Sequence, residues 1–113
     1  MRIRSEIWVR AYLRRCEAAG VPAVIVRRGD EHAGAIFISI NCLNGRVRLY
    51  GPAPAGLESS SDRRWILCLG AELMQAAEAD RYLARETNFD PDIWIIEIEE
   101  RSGRHLLAET ELG

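Results

Sequence analysis

The chain has 113 residues, 48% hydrophobic and 28% charged, with a net charge of −2. This is the size and balance of one soluble globular domain, and it excludes fibrous, low-complexity and disordered classes. All fifteen basic residues are Arg, which also excludes any chemistry that needs a Schiff-base, P-loop or general-base lysine.

Residues 5–20 predict the first helix, with Ser5 as N-cap, Val9, Tyr12, Leu13, Cys16 and Ala19 on the buried stripe, and Gly20 and Pro22 as the stop. Residues 23–28 are apolar and β-branched until Arg27, predicting a strand that runs out into a charged loop. A second strand starts at Ala35, and Asn44-Gly45 predicts a two-residue hairpin turn. That turn would pair Cys42 with Val47, Ile40 with Leu49 and Ser39 with Tyr50. It would put Ile36, Ile38, Ile40, Cys42, Val47 and Leu49 on an apolar face, opposite Phe37, Ser39, Asn41, Arg46, Arg48 and Tyr50. Residues 51–62 carry the Gly, Pro and Ser of a surface loop. A fourth strand follows over 65–69 and a second helix over 73–87, burying Ala76, Ala79, Tyr82 and Leu83. Residues 93–99 are apolar on both faces in their first half, which predicts a strand inside the sheet. The tail beyond Ser102-Gly103 reads as a short edge hairpin or a frayed end. The fold class is therefore α+β, in the order α-β-β-β-β-α-β, with a mainly antiparallel sheet and two helices packed on one face.

The longest uncharged run, residues 33–45, falls short of the roughly 18 residues of a membrane span. Glu6, Arg10, Arg14 and Arg15 break the apolar segment a signal peptide requires. The expected compartment is the cytoplasm, with Cys16, Cys42 and Cys68 as reduced, buried thiols. Their even spacing accompanies no repeated pattern. They are too scattered for a zinc site, so no metal and no cofactor is expected.

Several motifs, taken together, resemble a small bacterial family known only as domain of unknown function 1491. They are Ala11-Tyr12-Leu13-Arg14-Arg15, Val26-Arg27-Arg28-Gly29-Asp30 with Gly34, Leu49-Tyr50-Gly51-Pro52, Arg63-Arg64-Trp65, Tyr82-Leu83-Ala84-Arg85, Phe89-Asp90-Pro91-Asp92 and Gly103-Arg104-His105. The resemblance implies a single-domain bacterial protein spanning residues 1–113 and brings no catalytic residue with it.

Two surfaces are candidates for function. Arg27, Arg28 and Asp30, with Gly29 free to adopt positive φ, could join Arg63 and Arg64 in an arginine corner for a phosphate or carboxylate; the same residues also suit a plain β-turn stabilised by Asp30. Phe37, Arg46, Arg48 and Tyr50 on one sheet face have the stacking and cationic groups of single-strand nucleic-acid binders. Glu97 and Glu99 on that face, with the acidic net charge, favour cross-strand ion pairs or a protein contact over nucleic acid. His32 beside Asp30 and Glu31 has the makings of a general acid or base, though a solvated loop histidine is far commoner. The helix and strand order is shared with restriction-type nucleases, yet the hairpin strands offer Ser39, Asn41, Arg46 and Arg48 where metal-holding carboxylates are needed.

Charge is polarised along the chain: residues 1–64 carry eleven Arg against six acids, and residues 65–113 four Arg against eleven acids. Opposed halves imply pairing inside the fold or between copies, and the first expectation is that early guanidiniums meet late carboxylates. The leading functional reading is a binding or interaction module that self-associates, with a protein partner and no membrane. Anion or nucleic-acid binding through the arginine corner is the alternative. An enzyme built from the 27–30 loop, the 51–62 loop and His32 or His105 is the third.

Overall fold

The elements in chain order are α1 (Ser5–Ala18), β1 (Ala23–Arg27), β2 (Ile36–Asn41), β3 (Arg46–Pro52), β4 (Trp65–Leu67), β5 (Met74–Gln75), α2 (Ala76–Phe89) and β6 (Trp94–Glu99). This computed structural model describes residues 2–54 and 63–113, so most of the expected 51–62 loop lies outside the described residues. The predicted order holds, with the two-residue β5 as an addition. The strands form one sheet in the order β1-β6-β2-β3-β4, and β5 also pairs with β3. Among the described strands, β2 and β6 run parallel and the other pairs are antiparallel. As expected, β6 lies inside the sheet.

The helices do not share a face. Trp8, Val9, Tyr12 and Cys16 of α1 pack with Ile36, Ile38, Ile40, Trp94, Ile96 and Ile98. Ala79 of α2, with half-buried Tyr82 and Leu83, packs with Phe37, Val47, Leu49, Ile93 and Ile95 on the opposite side. The reason lies in β2 and β6, which are apolar at consecutive positions; a strand buried on both faces needs cover on both.

The hairpin register differs by one residue from expectation. Ile38 pairs with Tyr50, Ser39 with Leu49, Ile40 with Arg48 and Asn41 with Val47. The loop has three residues, Leu43 to Gly45, closed by Cys42 N–H donating to the Arg46 carbonyl (3.0 Å). Both asparagines build it: Asn41 Oδ1 accepts from the Leu43 N–H (2.8 Å) and Asn44 Oδ1 from the Arg46 N–H (3.1 Å). Leu43 takes φ 63° and Gly45 φ 83°. Because side chains alternate, the slip exchanges the faces of β3 entirely.

Ser5 is not a side-chain cap. The N–H groups of Ser5 and Glu6 are answered by the carbonyls of His32 and Glu31, while the buried Ser5 hydroxyl turns inward and donates to the Gly34 carbonyl (2.6 Å). The far end of α1 closes as a Schellman motif: Gly20 sits at φ 73°, and the Val21 N–H donates to the Cys16 carbonyl (2.9 Å). The tail neither frays nor forms a hairpin. His105 and Leu106 offer carbonyls to the Tyr12 hydroxyl and Arg15, Leu112 bridges Trp65, and the Gly113 N–H donates to the Trp65 carbonyl (2.9 Å). Cys16, Cys42 and Cys68 are free thiols and buried. No helix among the described residues is long and apolar enough to cross a membrane.

Candidate functional site

The arginine corner is occupied by the protein itself. Arg27 Nη2 donates to the Pro91 carbonyl (2.6 Å). Arg28 lies over the Trp94 ring, 5.2 Å from its centroid, and reaches Glu6 at 3.4 Å. Asp30 Oδ2 accepts from the N–H groups of Ala33 (2.8 Å) and His32 (3.1 Å), and these bonds hold its carboxyl below the usual carboxylate range. Gly29 does not adopt positive φ. It is needed for clearance instead, because a Cβ on Gly29 or Gly34 would collide with the Asp92 carbonyl, which also accepts from the Asp30 N–H (2.9 Å). The Arg27 Nη2, Arg28 and Asp30 groups are thus engaged within the protein, while the Nε atoms of Arg27 and Arg64 have no partner among the described residues.

Arg63 is the exception in kind. It is 8% exposed, donates to the Ile3 carbonyl (3.0 Å) and the Ser5 hydroxyl (2.9 Å), and its Nε has no partner among the described residues. Burial, reinforced by Arg2, pushes its pKa down to about 10. Arg28 and Arg63 therefore meet on consecutive residues of α1, Glu6 and Ser5. Half-buried Arg64 contributes its carbonyl to Ala53, and Arg27 points away to Pro91.

The expected platform is divided by the sheet. Arg46, Arg48 and Tyr50 belong to the α1 face; Phe37, Glu97 and Glu99 belong to the α2 face, by the register of β2 with β3 and β6. Phe37 is buried edge-on against Tyr82 (6.4 Å) and Tyr50 against His105 (5.3 Å), so neither ring is available for base stacking. Arg48 Nη1 donates to the Gly103 carbonyl (3.4 Å), and Arg48 cannot pair with Glu97 or Glu99 through the sheet.

The charge expectation also needs correction. Among the described residues the ion pairs are Arg10–Glu6, Arg28–Glu6 and Arg15–Glu111, and only the last joins the basic half to the acidic half. Early guanidiniums are answered mainly by late carbonyls: Arg15 by Leu106, Arg27 by Pro91 and Arg48 by Gly103. A carbonyl satisfies the donor but leaves the charge without an ion-pair partner.

Two features were missed in the sequence. One is a cavity of about 160 Å³ lined by Phe37, Gly51, Leu67, Cys68, Tyr82 and Glu86. Burial pushes the Cys68 thiol up to about 11, so it stays protonated and is a poor nucleophile at neutral pH. The other is the outer edge of β1, where Val24, Ile25 and Val26 are 58%, 36% and 57% exposed. Three apolar neighbours in a row read as a buried strand; only the sheet order reveals that they lie on a rim.

Residues 3–108 match the family described as Protein of unknown function (DUF1491). The chain belongs to this family. A DUF1491 family protein from Caulobacter crescentus is 35% identical and superimposes with a TM-score of 0.80 over 99% of this chain and 97% of its own. The NMR structure of a DUF1491 family protein from Caulobacter crescentus, also 35% identical, gives 0.78 over 96% of each chain. A protein of A. tumefaciens, solved in solution, is 40% identical with a TM-score of 0.75, covering 88% of this chain and 86% of its own. No curated protein matches. The family assignment fixes the fold and carries no activity.

Proposed function

We propose that this member of the DUF1491 family is a small binding module that self-associates, in the bacterial cytoplasm, rather than a catalyst. The observation that carries the reading is the uncovered apolar rim of β1, in a protein whose other large apolar side chains are mostly spent on two cores. Surface rows of this kind mark contacts between proteins. Light scattering across a concentration series tests the reading: the mass rises towards twice that of the protomer in the high micromolar range. A mass that stays at one protomer throughout overturns it.

A second reading, anion binding, is favoured by Arg63 alone, a buried cation with no ion pair among the described residues. Titration calorimetry with inorganic phosphate tests it. Heat that disappears in Arg63→Gln supports it, and an absence of heat in the wild type excludes it.

A further inference from the structure

We infer that β1 pairs antiparallel with β1 of a second copy, centred on Val24, to form one continuous sheet across a two-fold axis. The inference rests on the self-association proposed above and names its surface.

The backbone selects the register. The Glu99 N–H donates to the Pro22 carbonyl (3.0 Å), and Ala23, Val24 and Ile25 lie opposite Ile98, Glu97 and Ile96. In an antiparallel ladder bonded and unbonded pairs alternate, so Pro22 and Val24 face β6 while the N–H and C=O of Ala23 and Ile25 point outward. Pro22 bounds this free row on one side. The register shift between Ile25 and Arg27 bounds it on the other. Only pairing centred on Val24 uses all four free groups, because Ala23 then exchanges bonds with Ile25 of the second copy, twice by symmetry.

The side chains agree with that register. Val24 meets its own symmetry mate as an unbonded pair, the closer kind. Ile25 falls opposite Ala23 on the α1 face, beside a groove of about 300 Å³ lined by Leu13, Glu17, Val21, Pro22 and Ala23. Each copy thus offers one isoleucine and one groove, lined by largely apolar side chains with Glu17 at its wall, to receive it. The two ends differ in charge: β1 ends in Arg27, and at the Pro22 end Glu99 sits one strand inward on β6. Antiparallel pairing brings unlike ends together on both sides of the axis. A second copy is the occupant that supplies the row, the groove and both charges at once.

Two variants test the register. Val24→Glu places like charges on the axis and also faces Glu97 within the protomer; because Val24 is exposed the fold is kept, checked by an unchanged circular dichroism spectrum. Dimerisation weakens about a hundredfold. Val24→Cys should form an intermolecular disulfide under mild oxidation, because such unbonded pairs fall within bridging distance. Val26→Cys, which faces Pro22 rather than itself, should not, and the buried native thiols leave the wild type uncrosslinked. If the wild type dimerises and Val24→Glu dimerises equally well, or Val26→Cys crosslinks as readily as Val24→Cys, the register is wrong and the self-association reading stands. If the wild type is monomeric at every concentration, both fall.

Discussion

The two rims of the sheet are finished differently. At the β4 rim the chain closes its own edge: Leu112 bridges Trp65, the Gly113 N–H donates to the Trp65 carbonyl, and Trp65 itself is 2% exposed. At the β1 rim no other segment among the described residues returns, and three apolar residues face solvent. An unpaired strand edge is a hazard that proteins cover or blunt. Covering one rim with the tail and leaving the other bounded only by Pro22 and a bulge gives the two rims different work, the first stability and the second contact.

The sharpest way to break this comparison is to truncate one side chain on each rim. Trp65→Ala removes a ring that packs against Trp8 (4.3 Å between centroids) and donates to the Ile36 carbonyl (3.0 Å). It should cost about 3–5 kcal/mol in urea unfolding. Val24→Ala, measured where the protein is dilute, should stay within about 0.5 kcal/mol of wild type. Equal losses would mean that both rims are structural.

The tail's hold on the closed side makes a second contrast, read through pH. Burial raises the pKa of Glu111, but bonds from the Ala108 N–H, Arg15 and Trp8 outweigh it and leave the carboxyl below its ordinary value of 4.5. A group depressed in the folded state stabilises above its unfolded pKa, and that contribution fades as pH falls through the folded value. His105 is depressed from 6.5 by burial and by Arg48, so its contribution fades in a higher window, below 6.5. Acid unfolding should therefore show two successive losses. Glu111→Ala should remove the lower one and, by leaving Arg15 and the Trp8 N–H short of an acceptor, cost about 1–3 kcal/mol at neutral pH. His105→Asn should flatten the upper one with a smaller change. Thermal melts from pH 8 to 3 check both, and nothing comparable is expected from charges at the β1 rim.

What could be read from the sequence follows the range of the interactions involved. Element order, the stop at Gly20 and the interior place of β6 depend on neighbours within a few residues and on apolar periodicity, and they were legible. The sharing of cover between two faces was not, because Phe37 and Leu49 look the same whether a helix or solvent lies opposite. The rims were hidden for a similar reason: β1 borders the sheet only because β6, some seventy positions later, pairs along its inner side. At the arginine corner, residue types suggested convergence, and Arg28 and Arg63 do converge on α1. Their partners, however, include carbonyls and a glycine clearance set by Asp92, and a carbonyl has no signature in sequence.

A small gain in stability is predicted at the hairpin loop, whose length decides which face of β3 meets α1. Asn44-Gly45 alone suggests a two-residue turn, but Asn41 captures the Leu43 N–H and draws Leu43 into the loop at φ 63°. A leucine there is strained, because its Cβ crowds the carbonyl, and its side chain is 43% exposed and gains little by packing. Leu43→Gly relieves the strain at the cost of a more flexible unfolded chain, so the net gain should be about 0.5–1 kcal/mol, seen as a higher urea midpoint with an unchanged slope. A loss of stability would show instead that Leu43 holds the register through contacts, and the division of Arg48 and Tyr50 from Phe37 and Glu97 would then depend on a side chain rather than on the two asparagines.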